Sequence, residues 1–521
     1  MKKLALVFFM FLLLVPCFSI DFEVSLMPQL DFHTESDFDD SFSGMVSLDF
    51  YPFVIRLRDK IGISLQGGIA NIKAKTLEST PLYYGDLALS YVFRAHDRFD
   101  FGAQAYAGFY QFPHVEKKNT ESVSGTLLGA RAFADFYVRP EFKVGLFAGM
   151  SDFVYDPEDF TKRIDVGLAL RYSFSKGIFA KSQVEVDEYE IQPVFPVFYS
   201  FYNENSFGKA VFFNGEENRI SNVRISIFIP EYMTIPKLCA QFDRVERNEY
   251  FSSEITAFIN ETILESLMAH RTDGKFIVSY RSLGKEVTYE KTIDITALNL
   301  NAMNWDDDRR AAAFVSSHDG AANKVSKFAK SIILKNPQND YTQNIAFARG
   351  IFAVLKAYGI SYVKDPTSPF SSEETQDVDF LQFPYQTLLY FGGDCDDLSI
   401  LNCALFESIG IKTAFITTPA HIFMAFDSGV SPEKADEVIK DRRYIIQDKR
   451  VWIPLETTIC QENFEISRAA GYNQWKNANQ KGEAVLYPMD EAWNHYKAVS
   501  VPDSDADIEL PSVDKVLKNL K

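Results

Sequence analysis

Between Asp21 and Phe174 apolar residues recur at every second position, in segments broken by polar turns. A period of two belongs to a strand with two unlike faces; a helix with that pattern would scatter the same residues around its axis. In Val166, Leu168, Leu170, Tyr172 and Phe174 every second residue is apolar, while Gly167, Ala169, Arg171 and Ser173 between them are small or polar. Phe142, Val144, Leu146, Ala148 and Met150 alternate in the same way with Lys143, Gly145, Gly149 and Ser151. So do Leu128, Ala130, Ala132, Ala134 and Phe136 with Gly129, Arg131 and Asp135, although Phe133 and Phe147 fall on the wet face. Further segments begin near Phe22, Val46, Ile61, Tyr83 and Phe99, so about eight strands succeed one another at intervals of roughly 20 residues.

A soluble sandwich alternates as well. Here charged and small residues share one face, breakers inside strands are few, and aromatics gather at strand ends in Tyr51, Phe53, Tyr91, Phe93, Phe109, Tyr110 and Phe112. These features favour an antiparallel β-barrel embedded in lipid, and the alternating aromatics of Gly167 through Phe174 resemble the assembly signal that ends bacterial outer-membrane barrels. An even strand count returns the chain to its starting side, which places the residues after Phe174 in the periplasm. The N-terminus agrees with export: Met1-Lys2-Lys3 is basic, Leu4 to Val15 is apolar, and Cys17-Phe18-Ser19 is a small-residue site, so residues 1–19 read as a signal peptide. Leu14-Val15-Pro16-Cys17 also offers Cys17 as a lipidation site, with Pro16 at odds with that use.

At 521 residues the chain is too long for one core. The expected units are the barrel over 20–176, a β-sandwich connector of immunoglobulin-like type over 177–303, an α+β domain over 304–500 and a polar tail over 501–521. In the connector, strands are expected at Phe195–Tyr202, Val223–Ile229, Lys275–Tyr280 and Val287–Ile295, with one helix from Ser253 to His270. A formal charge of −18 with no basic patch argues against nucleic-acid binding. Asp306-Asp307-Asp308 precede an Ala-rich run and read as a helix cap. The histidines lack ligand spacing, so no metal or other cofactor is assigned. Cys239, Cys403 and Cys460 read as small buried hydrophobes.

Chemistry concentrates downstream. In Gly392-Gly393-Asp394-Cys395-Asp396-Asp397 the glycines suggest a tight turn, and Leu398, Leu401 and Leu405 recur at helical spacing until Gly410. Cys395 is thereby set at a helix N-terminus, where free N–H groups and the helix dipole favour a thiolate, although three flanking aspartates oppose it and require a cationic partner. His421 opens a strand that comes after the strand Lys412–Thr417, and a hairpin of Tyr444-Ile445-Ile446 with Val451 to Thr458 brings Glu456 within reach. The order is nucleophile, base and orienting acid, with Asp427 as a rival acid.

Gly393-Asp394-Cys395, the strand-borne His421 and Trp452-Ile453-Pro454-Leu455-Glu456-Thr457-Thr458 resemble the transglutaminase-like superfamily, whose core is papain-like. The resemblance covers roughly Asn336 to Thr458 and departs from the family in having Glu, not Asp, at 456. It implies Cys395 as nucleophile, His421 as base and Glu456 as acid, with Gln386 or Tyr385 at the oxyanion site. The expectation is an outer-membrane-anchored periplasmic thiol enzyme. It would act on peptide or protein amides through a Cys thioester, by acyl transfer or hydrolysis, with membrane lipid as the barrel's partner. The alternative is a non-catalytic envelope protein that uses the same fold to bind peptides. A pore is disfavoured, since barrels of this size fill their interiors with side chains.

Overall fold

The computed structural model describes residues 21–34, 39–56, 59–74, 77–116, 119–156, 159–177, 182–337, 342–364, 378–501 and 507–520. The proposed leader with Cys17, and Pro366 and Pro369 of the loop before the cysteine segment, lie outside the described residues.

Eight antiparallel strands close into a barrel: β1 (Asp21–His33), β2 (Ser41–Arg56), β3 (Asp59–Ala74), β4 (Leu77–His96), β5 (Phe99–Glu116), β6 (Asn119–Arg139), β7 (Phe142–Asp156) and β8 (Asp159–Ser173). Closure is seen in β1, where Leu26 faces Val46 of β2 on one side and Leu170 of β8 on the other. With no free edge, every strand can satisfy its backbone without water.

The faces are inverted relative to a water-soluble barrel. Leu87, Leu89, Leu146 and Phe109 point outward, exposed by 60% or more. Exposing each such side chain to water forgoes about 1.5–3 kcal/mol, so a continuous belt of them is stable only against lipid. Inside, charges replace the apolar core. Arg131 pairs with Asp165 (3.1 Å), Arg171 with Asp135 (2.9 Å) and Lys143 with Glu23 (2.8 Å), all buried. Phe133 and Phe147 point inward as rings beneath guanidinium groups, Arg171 lying 5.0 Å from the first and Arg131 4.8 Å from the second. Their bulk is accommodated by glycines across the ladder: a Cβ at Gly102 would meet the Phe133 ring at 2.3 Å, and one at Gly167 the Phe147 ring at 2.5 Å.

The strand-end aromatics divide by parity. Tyr91, Phe93 and Phe109 face outward, but Tyr51 and Tyr110 are buried inside, because an odd step along a strand reverses the side chain's face. The side chains of Phe53 and Phe112 lie outside the described residues.

Two sheets come next. One has the order β13-β10-β9, from β9 (Val184–Ile191), β10 (Gly208–Asn214) and β13 (Tyr250–Ile255); the other has the order β12-β11-β14-β15, from β11 (Ile220–Phe228), β12 (Lys237–Val245), β14 (His270–Ser282) and β15 (Lys285–Ala297). Phe212 of β10 meets Phe276 of β14 edge to face at 5.8 Å, joining the layers. Two expectations fail here. Ser253–His270 is not a helix: Phe251, Ser253, Ile255, Ala257 and Ile259 are buried at every second position, so β13 runs to Ile255, a 3-10 turn occupies Glu261–Glu265 and β14 starts at His270. Phe195–Tyr202 is not a strand, since Pro196 opens a 3-10 turn and Phe201–Asn203 forms another.

The remaining chain packs helices on a five-stranded sheet. The helices that matter are α1 (Gly320–Lys335), α2 (Gln343–Tyr358), α3 (Pro384–Tyr390) and α4 (Cys395–Glu407). The sheet consists of β16 (Thr413–Thr418), β17 (His421–Asp427), β18 (Ile445–Gln447), β19 (Arg450–Leu455) and β20 (Val485–Pro488), in the order β18-β19-β17-β16-β20. Asp307 caps the 3-10 turn Asp308–Phe314 by accepting from the Arg309 N–H at 3.0 Å, as the three acids suggested. The tail departs from a plain polar extension. Val513–Leu520 is a helix whose Val516 and Leu520 are buried, and the Leu520 carbonyl accepts from Arg349 of α2 at 2.9 Å. Its apolar residues share one helical face, a period that is easily missed in eight residues. No helix among the described residues is long and apolar enough to cross a membrane.

Candidate active site

Cys395 is the first residue of α4 and is 9% exposed. The tight turn before it works differently from the glycine-release expectation. Phe391, not a glycine, takes the left-handed conformation (φ 59°). Gly392 and Gly393 instead pair in parallel with Ser361 and Tyr362, at separations no side chain tolerates: a Cβ on Gly392 would meet the Ser361 carbonyl oxygen at 2.5 Å, and one on Gly393 the Asp397 carboxylate at 2.5 Å. Asp397 accepts the Gln382 N–H (2.7 Å) and reaches back to the Asp394 N–H (3.4 Å), fixing the helix start.

His421 begins β17, directly after the left-handed Ala420 that reverses the chain from β16. Antiparallel pairing of β17 with β19 ends at Met424 opposite Leu455, so Glu456 continues one residue further, alongside the strand's first residues. Its Oε2 lies 2.9 Å from His421 Nε2. Its other oxygen is occupied: Thr458 donates to Oε1 from its N–H (3.0 Å) and its hydroxyl (2.7 Å). The backbone of Glu456 is fixed in turn by Ser467, whose hydroxyl donates to the Glu456 carbonyl at 2.6 Å. Ser399 ties helix to strand, donating to the Cys395 carbonyl at 2.6 Å and lying 3.1 Å from the Thr457 hydroxyl. These contacts hold Cys395 and His421 at the first residues of a helix and a strand and pin Glu456 one residue past β19.

Asp427 sits six residues along β17 from His421, about 20 Å at ~3.3 Å per residue, and accepts from the Gly429 N–H at 2.9 Å. The geometry therefore brings Glu456, and not Asp427, to the imidazole. Gln386 is spent elsewhere, accepting from the Phe383 N–H (2.8 Å) and the Asn301 amide (2.7 Å). The Tyr385 N–H donates to Asp319 at 3.3 Å, and its ring stacks on Phe383. An oxyanion role for Gln386 thus conflicts with its cap, a use its sequence position before a helix could have announced.

The electrostatics derive from the geometry. Burial would lower the pKa of His421, but hydrogen bonds to Cys395 and Glu456, and their charges, push it up to about 10. Burial alone would raise that of Glu456, and the imidazole and Thr458 outweigh it, holding the carboxyl below the usual range. Asp396 goes the other way. Burial, its hydrogen bond to Asp394 and the neighbouring acids raise its carboxyl well above the carboxylate range. Among the described residues, Asp394, Asp396 and Asp397 are the one group of carboxyls close enough to share a cation, with oxygens within 4.8 Å of one another. Cys403 and Cys460 are buried, burial raising both thiols, and no described cysteine is in a disulfide.

Tyr362 was not visible as a site residue. Its strand lays it beside the start of α4, where burial and the charges of Cys395, Asp394, Asp396 and Glu456 raise its phenol. It reaches the site by pairing with Gly393, 31 residues away, and no motif marks that pairing.

No protein-family model and no curated protein matches the chain. Solved structures similar to its barrel include the N-terminal β-barrel domain of Pseudomonas aeruginosa OprF (12% identity, 29% of this chain and 97% of that one, TM-score 0.21). Ail, the attachment invasion locus protein of Yersinia pestis, matches at 15% identity over 30% of this chain and 97% of that one, TM-score 0.23. Neisserial surface protein A matches at 13% over 30% and 98%, also at 0.23. At such identities and scores, the barrel assignment rests on its own closure and its two faces.

Proposed function

We propose that the chain is a thiol enzyme of transglutaminase-like type, seated in the outer membrane by its barrel, with an immunoglobulin-like connector and the cysteine domain in the periplasm. The observation that carries the reading is His421 held between Cys395 and Glu456, with Nε2 2.9 Å from Oε2. Periplasmic placement is supported by the exit of the chain at the barrel end that also bears the β2–β3, β4–β5 and β6–β7 connections. The longest connection, between His33 and Ser41, lies at the other end, and the short-turn end of such barrels is the periplasmic one.

In the reaction, His421 takes the proton from Cys395 Sγ and the thiolate attacks an amide carbonyl. The C–N bond breaks as His421 returns the proton to the departing amine, leaving a thioester. Water or a second amine then attacks the thioester, forming an acid or a new amide and restoring the thiol. Glu456 orients and stabilises the imidazolium throughout. Tyr362, partly exposed beside the start of α4, offers an aromatic face for the acyl portion.

Incubation with peptide amides and mass analysis of the intact chain tests this. A thioester adduct is expected that Cys395→Ala and His421→Ala each abolish while circular dichroism stays unchanged. Peptide binding that persists in Cys395→Ala, with no adduct in the unaltered chain, would favour the binding-module reading, to which the low exposure of Cys395 lends itself.

A further inference from the structure

The turn between β10 and β11, Gly215-Glu216-Glu217-Asn218, meets the short-turn rim of the barrel. Glu217 lies 3.1 Å from Lys60 of β3 and 3.0 Å from Arg94 of β4, and it also pairs with Lys176 just past β8. Arg94 is anchored by Asp100 at 2.8 Å and donates to Asn218 at 3.1 Å. Two further contacts flank these: Arg219 with Asp97 (3.5 Å) in the β4–β5 turn, and Lys285 with Glu141 (3.7 Å) in the β6–β7 turn. The turn is shaped before it docks. Asn214, fully buried, accepts from the Glu216 N–H at 3.1 Å and donates to the Glu246 carbonyl at 2.9 Å, while Tyr280 donates to Glu216. A single carboxylate facing three cations is a charge-assisted contact of the strong kind.

β14 spans 13 residues, about 40 Å at ~3.3 Å per residue, between Ser282 at this rim and His270 at its far end. The chain reaches the cysteine domain at that far end, leaving β15 at Ala297, opposite His270. There Phe198 packs against Tyr496 at 5.4 Å and Tyr496 donates to Asp307 at 3.2 Å.

We propose that Glu217 is a peg in a cationic socket of the barrel rim. It locks the two-sheet unit as a strut that holds the cysteine domain at a fixed stand-off from the membrane. On the thiol-enzyme reading, this selects the substrate class: an amide carried by a polymer or protein presented tens of ångströms from the bilayer, not one embedded in it.

The test is a distance distribution by pulsed electron resonance on the full chain in lipid nanodiscs, with spin labels at Pro140→Cys on the rim and Glu261→Cys at the far end. Cys239→Ser, Cys395→Ser, Cys403→Ala and Cys460→Ala clear the background, and heat-modifiable migration checks the barrel. A single narrow distribution is expected, broadened at least twofold by Glu217→Lys, less by Glu217→Gln, and restored by Lys60→Glu added to Glu217→Lys. A broad distribution in the unaltered interface, or widths indifferent to both Glu217 changes, overturns the lock. Because Cys395 is absent from this chain, failure of the lock and failure of the enzyme reading are separate results.

Discussion

Replacing Glu456 by Gln keeps the side chain's length and one hydrogen-bonding oxygen but removes the charge beside His421. The rise of the imidazole pKa from 6.5 to about 10 corresponds to roughly 5 kcal/mol at about 1.4 kcal/mol per pH unit. Cys395 and Glu456 supply that rise against the lowering by burial, and an even division of the net rise gives the carboxylate roughly 2.5 kcal/mol. The imidazole should therefore titrate about 1.5–2 pH units lower in Glu456→Gln. Because the His421 value is raised on folding, its contribution to stability is complete below the unfolded value of 6.5 and is lost as pH rises through about 10. The Glu456 value is lowered, so its contribution is present above the unfolded 4.5 and fades as pH falls through the lower folded value. The pair is thus intact around neutrality, and Glu456→Gln should lose stability there, with less difference near pH 10. The assay is NMR titration of 15N-histidine in the full chain, alongside denaturant melts at pH 7 and pH 10, with Asp427→Asn as control. An unchanged His421 titration in Glu456→Gln, or an equal shift in Asp427→Asn, would show that Glu456 does not set the charge of the imidazole.

Other outcomes concern the barrel. A fragment ending at Gly177 should fold in detergent and migrate differently when boiled and unboiled; a fragment soluble and monomeric without detergent contradicts the lipid-facing belt. Leu146→Arg, on the outer face, should cost about 2–4 kcal/mol in refolding into liposomes monitored by urea titration if that position lies near the bilayer midplane. Asp165→Ala leaves the Arg131 guanidinium buried without its carboxylate and should cost about 3–5 kcal/mol, most of which Arg131→Met combined with Asp165→Leu should return. The same urea titration reads both.

The barrel was legible because a period of two in lipid leaves a one-to-one record in residues such as Leu168, Ala169, Leu170 and Arg171. The same rule, applied residue by residue, would have placed Tyr51 and Tyr110 inside; grouping them by location at strand ends discarded their parity. Cys395, His421 and Glu456 were legible because each lies at the start or end of a regular element, where local signals are strongest. Ser253–His270 misled because its bulky residues also fit a helical spacing over a short window, and only burial at 251, 253, 255, 257 and 259 distinguishes the two. Tyr362 beside the cysteine and Glu217 in the barrel rim depend on partners 30 or more residues away, and single-sequence periodicity holds no term for such pairings.

The proposed reactive thiol on the periplasmic side of an outer-membrane anchor can be probed by profiling cells that express the full chain with a thiol-directed peptide electrophile too large to cross the outer membrane. Adduct is expected on Cys395 alone, only after the outer membrane is permeabilised, and none in His421→Ala. Adduct in intact cells would reverse the topology, and labelling at Cys239 or Cys460 with Cys395 untouched would remove the thiol enzyme.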